Sequence, residues 1–167
     1  MDKQLKTRLI IKSSLRYTVL CSYISKKDEL LQLVQDYKKL NQHTIKNKMP
    51  LFLIGEVIDK LKEIKYFNKF DLIWSYNNIQ IKEGNEWKVA FLTNKWLSKS
   101  KVMYIGLYNL PVIFQRMMNS IFKGLLHKEI LANYIDNFVT PAKTRKELEE
   151  RTLWFLKIAE KYNLCFK

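Results

Sequence analysis

Tyr134-Ile135-Asp136-Asn137 lies in the middle of an apolar stretch, residues 130–139, and divides it into two short halves. We predict a strand–turn–strand hairpin there, with Asp136-Asn137 at the turn, because both residue types favour turns and the flanks favour strands. A second aspartate, Asp71, lies upstream in residues 70–73, a short apolar segment that predicts a buried strand. If these strands lie side by side, their carboxylates converge, as the binding of Mg²⁺ requires.

The remaining sequence predicts a mixture of strands and helices in one continuous unit. Pro111 opens a helix, where its missing N–H costs nothing, and Thr144-Arg145-Lys146-Glu147 is a capping-box pattern that starts a last helix ending near Tyr162. The other predicted elements are strands at 15–24 and 30–37, an amphipathic helix at 52–64, and a β-hairpin formed by 77–82 and 87–93. This order predicts an α+β fold in which helices cover one face of an antiparallel sheet.

The composition fits a folded, strongly basic protein. Hydrophobic residues make up 47% of the 167 residues, which is enough for a core and argues against disorder. The 30 basic and 16 acidic residues give a net charge of +14, which favours a polyanionic partner, nucleic acid first and an anionic membrane surface second. A lysine-rich soluble protein without such a partner is the alternative.

The sequence predicts an intracellular protein, cytoplasmic or nuclear, and of the two candidate partners we expect nucleic acid and no membrane. No apolar run approaches the roughly 20 residues needed to span a bilayer. The N-terminus lacks the apolar region of a secretory signal. Cys21 and Cys165 form neither a disulfide framework nor a metal-binding spacing, so we expect reduced thiols.

Each of these signals also has a simpler explanation. Asp71 alone could be a solvated turn residue or a helix cap, and Asp136-Asn137 alone could be an ordinary turn pair. Lysines interleave with tyrosines in the N-terminal third, a pattern that suits either a solvated surface or stacking on single-stranded nucleic acid. The residues concerned are Lys26, Lys27, Lys38, Lys39, Lys46, Lys48, Tyr17, Tyr23 and Tyr37.

A series of motifs in a fixed order connects the chain to a known family. They include Val34-Gln35-Asp36-Tyr37-Lys38-Lys39-Leu40-Asn41, Phe67-Asn68-Lys69-Phe70-Asp71, Phe114-Gln115-Arg116-Met117-Met118-Asn119 and Tyr134-Ile135-Asp136, with further matches at 44–51, 76–79, 81–88, 106–107 and 111. With these motifs the chain resembles the reverse transcriptases of gypsy-type LTR retrotransposons, fungal ones especially, from about residue 13 onward. The resemblance implies part of the fingers at 1–50, a polymerase palm at 51–167, and no thumb.

The resemblance also implies roles for individual residues. Asp71 and Asp136, with the backbone carbonyl of Leu72, would hold two Mg²⁺ ions, and Asn137 would belong to the catalytic set. The residues implied to contact the incoming nucleotide are Lys26, Lys27, Gln32, Tyr76 and Gly106, of which Tyr76 would exclude a ribose 2′-OH. The implied partner is an RNA or DNA primer–template.

The chain departs from the family pattern around this site. Asn137 occupies the position of the second Asp in the family's Tyr-x-Asp-Asp hairpin, so one negative charge is missing. Gln32 stands where the family usually has an arginine, which removes a bidentate phosphate clamp. Tyr104-Ile105 replaces the usual Pro-Phe before Gly106, and Pro141 lies where the strand leaving the hairpin would normally continue.

The sequence supports three functional hypotheses. The first is RNA-directed DNA polymerase activity, a nucleotidyl transfer to a primer 3′-OH, impaired by Asn137. The second is a non-catalytic retroelement remnant that binds nucleic acid, and the third is a decayed reading frame without a role. The sequence leaves open whether the chain acts as an enzyme.

Overall fold

The computed structural model describes residues 9–13, 18–25, 31–48, 55, 62, 64–73, 75–93 and 96–167. The strands are β1 (Ile10–Lys12), β2 (Val19–Ser25), β3 (Leu31–Gln35), β4 (Tyr66–Asp71), β5 (Phe91–Leu92), β6 (Leu97–Ser100), β7 (Ala132–Tyr134) and β8 (Asn137–Ala142). The helices are α1 (Lys38–His43), α2 (Leu110–Ile121), α3 (Lys123–His127) and α4 (Arg145–Lys161), with 3₁₀ helices at Ser75–Asn78 and Glu86–Val89. The predicted α+β class is confirmed. The predicted helix at 52–64 lies almost entirely outside the described residues.

The chain divides into two compact units. The first comprises Met1–Asn47 and Tyr76–Leu110, and the second comprises Lys48–Ser75 and Pro111–Lys167. The chain therefore leaves the first unit and returns to it, which the sequence did not indicate. The assignment of residues 1–50 to fingers and 51–167 to palm stays a prediction. No helix in the described ranges is long and apolar enough to cross a membrane.

The first unit is built on a five-stranded sheet with the order β1-β6-β5-β2-β3. β2 and β5 run parallel, and the other neighbouring pairs are antiparallel. Val19 and Phe91 are buried, whereas Leu20 and Leu92 at the next register position are exposed, as expected for side chains that alternate along a strand. The core of this unit comprises Ile10, Val19, Tyr37, Val89, Phe91 and Tyr104.

The predicted β-hairpin between 77–82 and 87–93 is wrong. Residues around Gln80 pair with residues around Val102 instead, through a bridge between those two residues and a hydrogen bond from the Ile81 N–H to the Lys101 carbonyl. Residues 86–89 form a 3₁₀ turn, which buries Val89. Residues near Gln80 thus pair with a segment some 20 positions away and not with the predicted partner at 87–93. The alternation of apolar and polar residues predicts a strand but does not identify its partner.

The second unit contains a three-stranded antiparallel sheet with the order β4-β8-β7. Helix α4 packs on β8 and β4 and covers one face, as predicted. Phenylalanine rings fill the interface, and Phe155 of α4 lies 5.2 Å from Phe122 and 5.8 Å from Phe138 between ring centroids. All three of these side chains are fully buried. Such aromatic contacts contribute both buried area and favourable ring geometry.

Helix α4 begins at the predicted cap. The Thr144 hydroxyl oxygen accepts a hydrogen bond from the Glu147 N–H, and Thr144 has extended backbone angles as an N-cap should. The Glu147 carboxylate accepts from the N–H of Lys143, one residue before the cap. This backbone hydrogen bond, followed by the charge of Arg151, lowers the pKa of Glu147.

Candidate active site

The register of the second sheet brings Asp71 and the hairpin residues together. Asp71 is the Cα partner of Asn137 in the β4–β8 ladder, and directly opposite residues in such a ladder have Cβ atoms about 4.5–5.5 Å apart. The N–H of Leu72, the residue after Asp71, donates to the carbonyl of Asp136, the residue before Asn137, at 3.0 Å. The strand that carries Asp71 and the hairpin that carries Asp136 therefore lie side by side, whereas the convergence of their carboxylates on one metal site stays a prediction.

The backbone of Asp71 is also fixed from its other side. Its N–H donates to the carbonyl of Lys167 at 3.0 Å, and its carbonyl accepts from the Lys167 N–H at 2.8 Å. The N–H of Ile73 donates to the carbonyl of Cys165, and Leu72 bridges to Phe166. Asp71 thus lies between two hydrogen-bonded neighbours, although the prediction that its segment is buried is wrong. β4 alternates, so that Phe70 faces the aromatic core and the Asp71 side chain faces outward.

The hairpin turn lies one residue earlier in the sequence than predicted. Tyr134 pairs with Asn137, so the turn consists of Ile135 and Asp136, and Asn137 is already the first residue of β8. φ is +54° at Ile135 and is not positive at Asp136, which is the sign pattern of a type II′ hairpin turn. Glycine normally occupies the first central position of that turn, and a β-branched side chain there is strained.

Both candidate carboxylates have local partners. Oδ1 of Asp71 lies 3.4 Å from Nζ of Lys69, and both side chains are about half exposed, so this ion pair is weak. Oδ1 of Asp136 accepts a hydrogen bond from Nδ2 of Asn137 at 3.0 Å. The residue at the position of the family's second Asp therefore acts as a neutral donor to the remaining hairpin carboxylate.

The donor set fits a minimal magnesium site. Mg²⁺ in nucleotide-processing sites is commonly held by one or two carboxylates together with substrate phosphates. Asp71 and Asp136 would provide that minimum, and Leu72 follows Asp71 and donates its N–H to the Asp136 carbonyl. Asn137 turns its N–H₂ group toward Asp136, so its amide would have to rotate before it could offer an oxygen to a metal. In the part of the chain that the structure describes, no cluster of three or more His, Cys, Asp or Glu side chains is found.

The predicted nucleotide-contacting residues have different outcomes. Lys26 and Lys27 lie outside the described residues. Gln32 belongs to β3 and pairs with Ile24, and Tyr76 is half-buried in the 3₁₀ helix Ser75–Asn78. Gln32, Tyr76 and Gly106 belong to the first unit, whereas the aspartates belong to the second. Their role in nucleotide binding stays a prediction.

Gly106 occupies a backbone conformation that favours glycine. Its φ is +107°, and a Cβ added there would meet the Tyr37 ring at 3.5 Å and the Gln35 carbonyl at 3.6 Å, which are ordinary contact distances. The requirement for glycine therefore comes from φ and not from crowding. The Gly106 carbonyl accepts from Nδ2 of Asn41 at 2.7 Å, while Oδ1 of Asn41 accepts from the Tyr108 N–H. One asparagine side chain thus fixes this loop.

Base stacking by Tyr37 is ruled out by its burial. Its side chain is 2% exposed, lies in the core of the first unit, and donates its hydroxyl to the Val89 carbonyl at 3.4 Å. Burial, with smaller contributions from Tyr104 and Cys21, strongly raises the pKa of Tyr37. Lys38, Lys39, Lys46 and Lys48 are exposed, as a solvated or an anion-binding surface requires. Nζ of Lys46 lies 5.2 Å from the exposed ring of Tyr108.

One polar contact to the hairpin turn was not anticipated from the sequence. Oε1 of Gln115, in α2, accepts a hydrogen bond from the N–H of Ile135 at 2.7 Å. Gln115 is 3% exposed, and the sequence offers two signals for it: it is polar on an apolar helix face, and it belongs to the motif at 114–119. Its partner lies 20 positions away, so the pairing itself could not be read from the sequence.

Comparison with protein families gives a match over most of the chain. The family described as "Reverse transcriptase (RNA-dependent DNA polymerase)" matches residues 24–167. The Retrovirus-related Pol polyprotein from transposon 297 of Drosophila melanogaster is 33% identical over 129 residues, which are 77% of this chain and 12% of that polyprotein. The Transposon Tf2-7 polyprotein of Schizosaccharomyces pombe is 29% identical over 147 residues, 88% of this chain and 11% of that polyprotein. The chain thus spans about a tenth of these relatives.

Solved structures show the same fold. The foamy viral protease-reverse transcriptase dRH in complex with ds DNA aligns with a TM-score of 0.91 at 19% identity, covering 99% of this chain and 29% of that one. The foamy viral protease-reverse transcriptase in complex with an RNA/DNA hybrid aligns with a TM-score of 0.86 at 19% identity, covering 96% of this chain and 21% of that one. At such identities the likeness concerns the fold alone.

Proposed function

The chain belongs to the reverse transcriptase (RNA-dependent DNA polymerase) family, and on that basis we propose that it is part of an RNA-directed DNA polymerase from a retrotransposon polyprotein. The observation that carries the proposal is the β4–β8 register, in which Asp71 lies opposite Asn137 while Leu72 is hydrogen-bonded to Asp136. One carboxylate at the end of a strand and a second on the neighbouring hairpin turn form an arrangement that suits metal-dependent nucleotidyl transfer.

In this proposal Asp71 and Asp136 hold Mg²⁺, two ions in the active state, with the Leu72 carbonyl as a further ligand. Bound Mg²⁺ supplies positive charge that neutralises the triphosphate and favours attack by the primer 3′-OH. The chain's own contribution is to hold the carboxylates in place through the sheet. Tyr76 would exclude a 2′-OH, and Lys26, Lys27, Gln32 and Gly106 would contact the nucleotide, as their positions in the family motifs suggest.

Asn137 makes the proposed activity weak. It contributes no charge to the site, and its amide donates to Asp136, so it competes with a metal ion for that carboxylate. Loss of one preorganised electrostatic group in an active site costs about 10²–10³-fold in rate. We therefore propose a polymerase site whose rate is limited by this one residue.

Primer extension on an RNA template, with Mg²⁺ and with Mn²⁺, tests the proposal. The native chain, Asn137→Asp and Asp71→Asn are compared at equal concentration, and circular dichroism verifies that each is folded. We expect slow extension by the native chain, faster extension by Asn137→Asp, and none by Asp71→Asn. The absence of extension from both the native chain and Asn137→Asp would refute the polymerase proposal.

A second function, nucleic-acid binding without chemistry, is favoured by the net charge of +14 together with the neutral Asn137. Each phosphate neutralised by a lysine or arginine releases counterions, so the affinity for single-stranded RNA should fall steeply with salt. Binding that is equally strong in Asp71→Asn, in a chain that extends no primer, would support this alternative. The RNA and DNA ligands named for the foamy viral structures make a primer–template the partner to test first.

A further inference from the structure

The Ile135-Asp136 turn needs an external restraint. Ile135 has φ of +54°, and a β-branched residue in this region is strained. Residues in sparsely populated conformations persist only where the surroundings fix them. The β7–β8 register pairs Tyr134 with Asn137 on either side of the turn, whereas the Ile135 N–H has its hydrogen-bond partner outside the hairpin.

Gln115 supplies a restraint at that peptide. Its Oε1 accepts from the Ile135 N–H at 2.7 Å, a short hydrogen bond for a neutral pair. The other end of the same amide is also fixed, because Nε2 donates to Oδ1 of Asn119 at 2.9 Å one turn further along α2. Asn119 therefore determines which atom of the Gln115 amide faces the turn, since only the oxygen can accept from a backbone N–H.

A merely structural role explains this arrangement poorly. Gln115 is 3% exposed on a helix whose neighbouring buried positions, Phe114 and Met118, are apolar. Burying an amide is unfavourable unless its hydrogen bonds are made, and an apolar side chain of the same length would fill the space without that cost. The two hydrogen bonds therefore account for a glutamine at this position.

We infer that Gln115 is a positioning residue that holds the strained Ile135-Asp136 turn and, through it, the Asp136 carboxylate. The consequence for metal binding rests on the polymerase function proposed above, but the restraint on the turn does not. Asp136 follows Ile135 directly, so a rotation of the Ile135 peptide would displace Asp136, whose backbone carbonyl accepts from the Leu72 N–H, and would move its carboxylate with it. Outer residues that orient metal ligands typically change metal affinity by about 10–100-fold when they are replaced.

Amide hydrogen exchange of the full chain, followed by NMR, tests the restraint. Gln115→Met keeps the length of the side chain and removes the acceptor, while Gln115→Glu keeps an acceptor for the Ile135 N–H. Met118→Ala is the matched control, because it disturbs a buried side chain of the same helix and leaves the Gln115 acceptor in place. We expect exchange at Ile135 to accelerate at least tenfold in Gln115→Met relative to exchange at Phe138, and to stay within about threefold of native in Gln115→Glu. Exchange at Ile135 that accelerates equally in Met118→Ala, or not at all in Gln115→Met, would overturn the inference.

Mn²⁺ titration of the same samples separates this inference from the proposed function. Paramagnetic broadening of the Asp71 and Asp136 amide signals reports metal binding independently of activity. If both signals broaden, we expect about tenfold weaker binding in Gln115→Met, and equal binding in that variant and the native chain would overturn the effect on Asp136. If neither signal broadens, the proposed metal site fails, whereas the restraint on the turn is still decided by the exchange of Ile135.

Discussion

Replacing Asn137 with aspartate should make the stability of the chain depend on divalent metal. The substitution places a third carboxylate beside Asp71 and Asp136. Without metal, the three negative charges repel one another. When a metal ion is bound, the attraction of each carboxylate to the cation offsets this repulsion. The substitution should therefore lower the stability of the metal-free protein and raise its affinity for metal.

The register gives the size of the effect. Because Asp71 and Asn137 are directly opposite in the β4–β8 ladder, an introduced carboxylate would lie roughly 5 Å from that of Asp71. The Asp71 side chain is 54% exposed, so the surroundings are close to water and the repulsion is about 0.8 kcal/mol. Loss of the Asn137 hydrogen bond to Asp136 adds about 1 kcal/mol. A destabilisation of about 2 kcal/mol corresponds to a melting temperature lower by roughly 4–8 °C in a chain of this size.

Thermal denaturation in EDTA and in Mn²⁺ measures this effect. We expect Asn137→Asp to melt below the native chain in EDTA and to recover most of the difference in Mn²⁺. Asn163→Asp, which adds the same charge at an exposed position of the second unit, controls for the change in net charge and should melt at the same temperature in EDTA as in Mn²⁺. Equal melting temperatures of Asn137→Asp in EDTA and Mn²⁺ would refute the placement of the three side chains around one cation.

The structure supports three further predictions. Phe155→Ala should lower the free energy of unfolding by about 3–5 kcal/mol in a denaturant titration, because it empties the centre of the aromatic core, and a loss below about 1 kcal/mol would contradict that packing. Because the pKa of Glu147 is lower in the folded state than its ordinary value of 4.5, its carboxylate stabilises the fold above that pH, and this contribution is lost as the pH falls through the lowered pKa. Glu147→Gln should therefore reduce the loss of unfolding free energy at acid pH. An unchanged dependence of stability on acid pH would contradict this role of Glu147. Gly106→Ala should lower the free energy of unfolding by about 1–3 kcal/mol, because alanine is strained at a φ of +107°. Gly124→Ala should raise it by up to about 1 kcal/mol, because alanine favours the helix α3 more than glycine does. Equal effects of the two substitutions in calorimetry would contradict the positive φ of Gly106.

The sequence predicted the main features of the second unit. Strand propensity around Asp71 and in residues 130–139, together with the order of the motifs, was sufficient to expect that these two segments pair as neighbours. The cap at Thr144 was equally accessible, because the signal lies within four residues. These features are local, or they depend on a pairing that the family motifs already imply.

Features that depend on distant partners were missed. The hairpin predicted at 77–93 was replaced by a pairing near Val102, and Tyr37 was considered for stacking although it fills the core. Asn137 was placed in the turn because Asp-Asn pairs favour turns, whereas ladder pairing with Asp71 extends β8 to include it. In each case a tertiary contact outweighed a local propensity.

The pairing of residues 165–167 with residues 71–73 places a native cysteine at a defined distance from Asp71. Cys165 is exposed, and its carbonyl is bonded to Ile73, so its Cα lies roughly 8 Å from that of Asp71 by strand geometry. Cys21 is half-buried, and burial raises the pKa of its thiol, which slows alkylation there. A nitroxide attached at Cys165 would therefore lie close enough to any Mn²⁺ held by Asp71 for the dipolar coupling between the two spins to be measured. Electron paramagnetic resonance would then report the distance from Cys165 to the cation without an engineered cysteine.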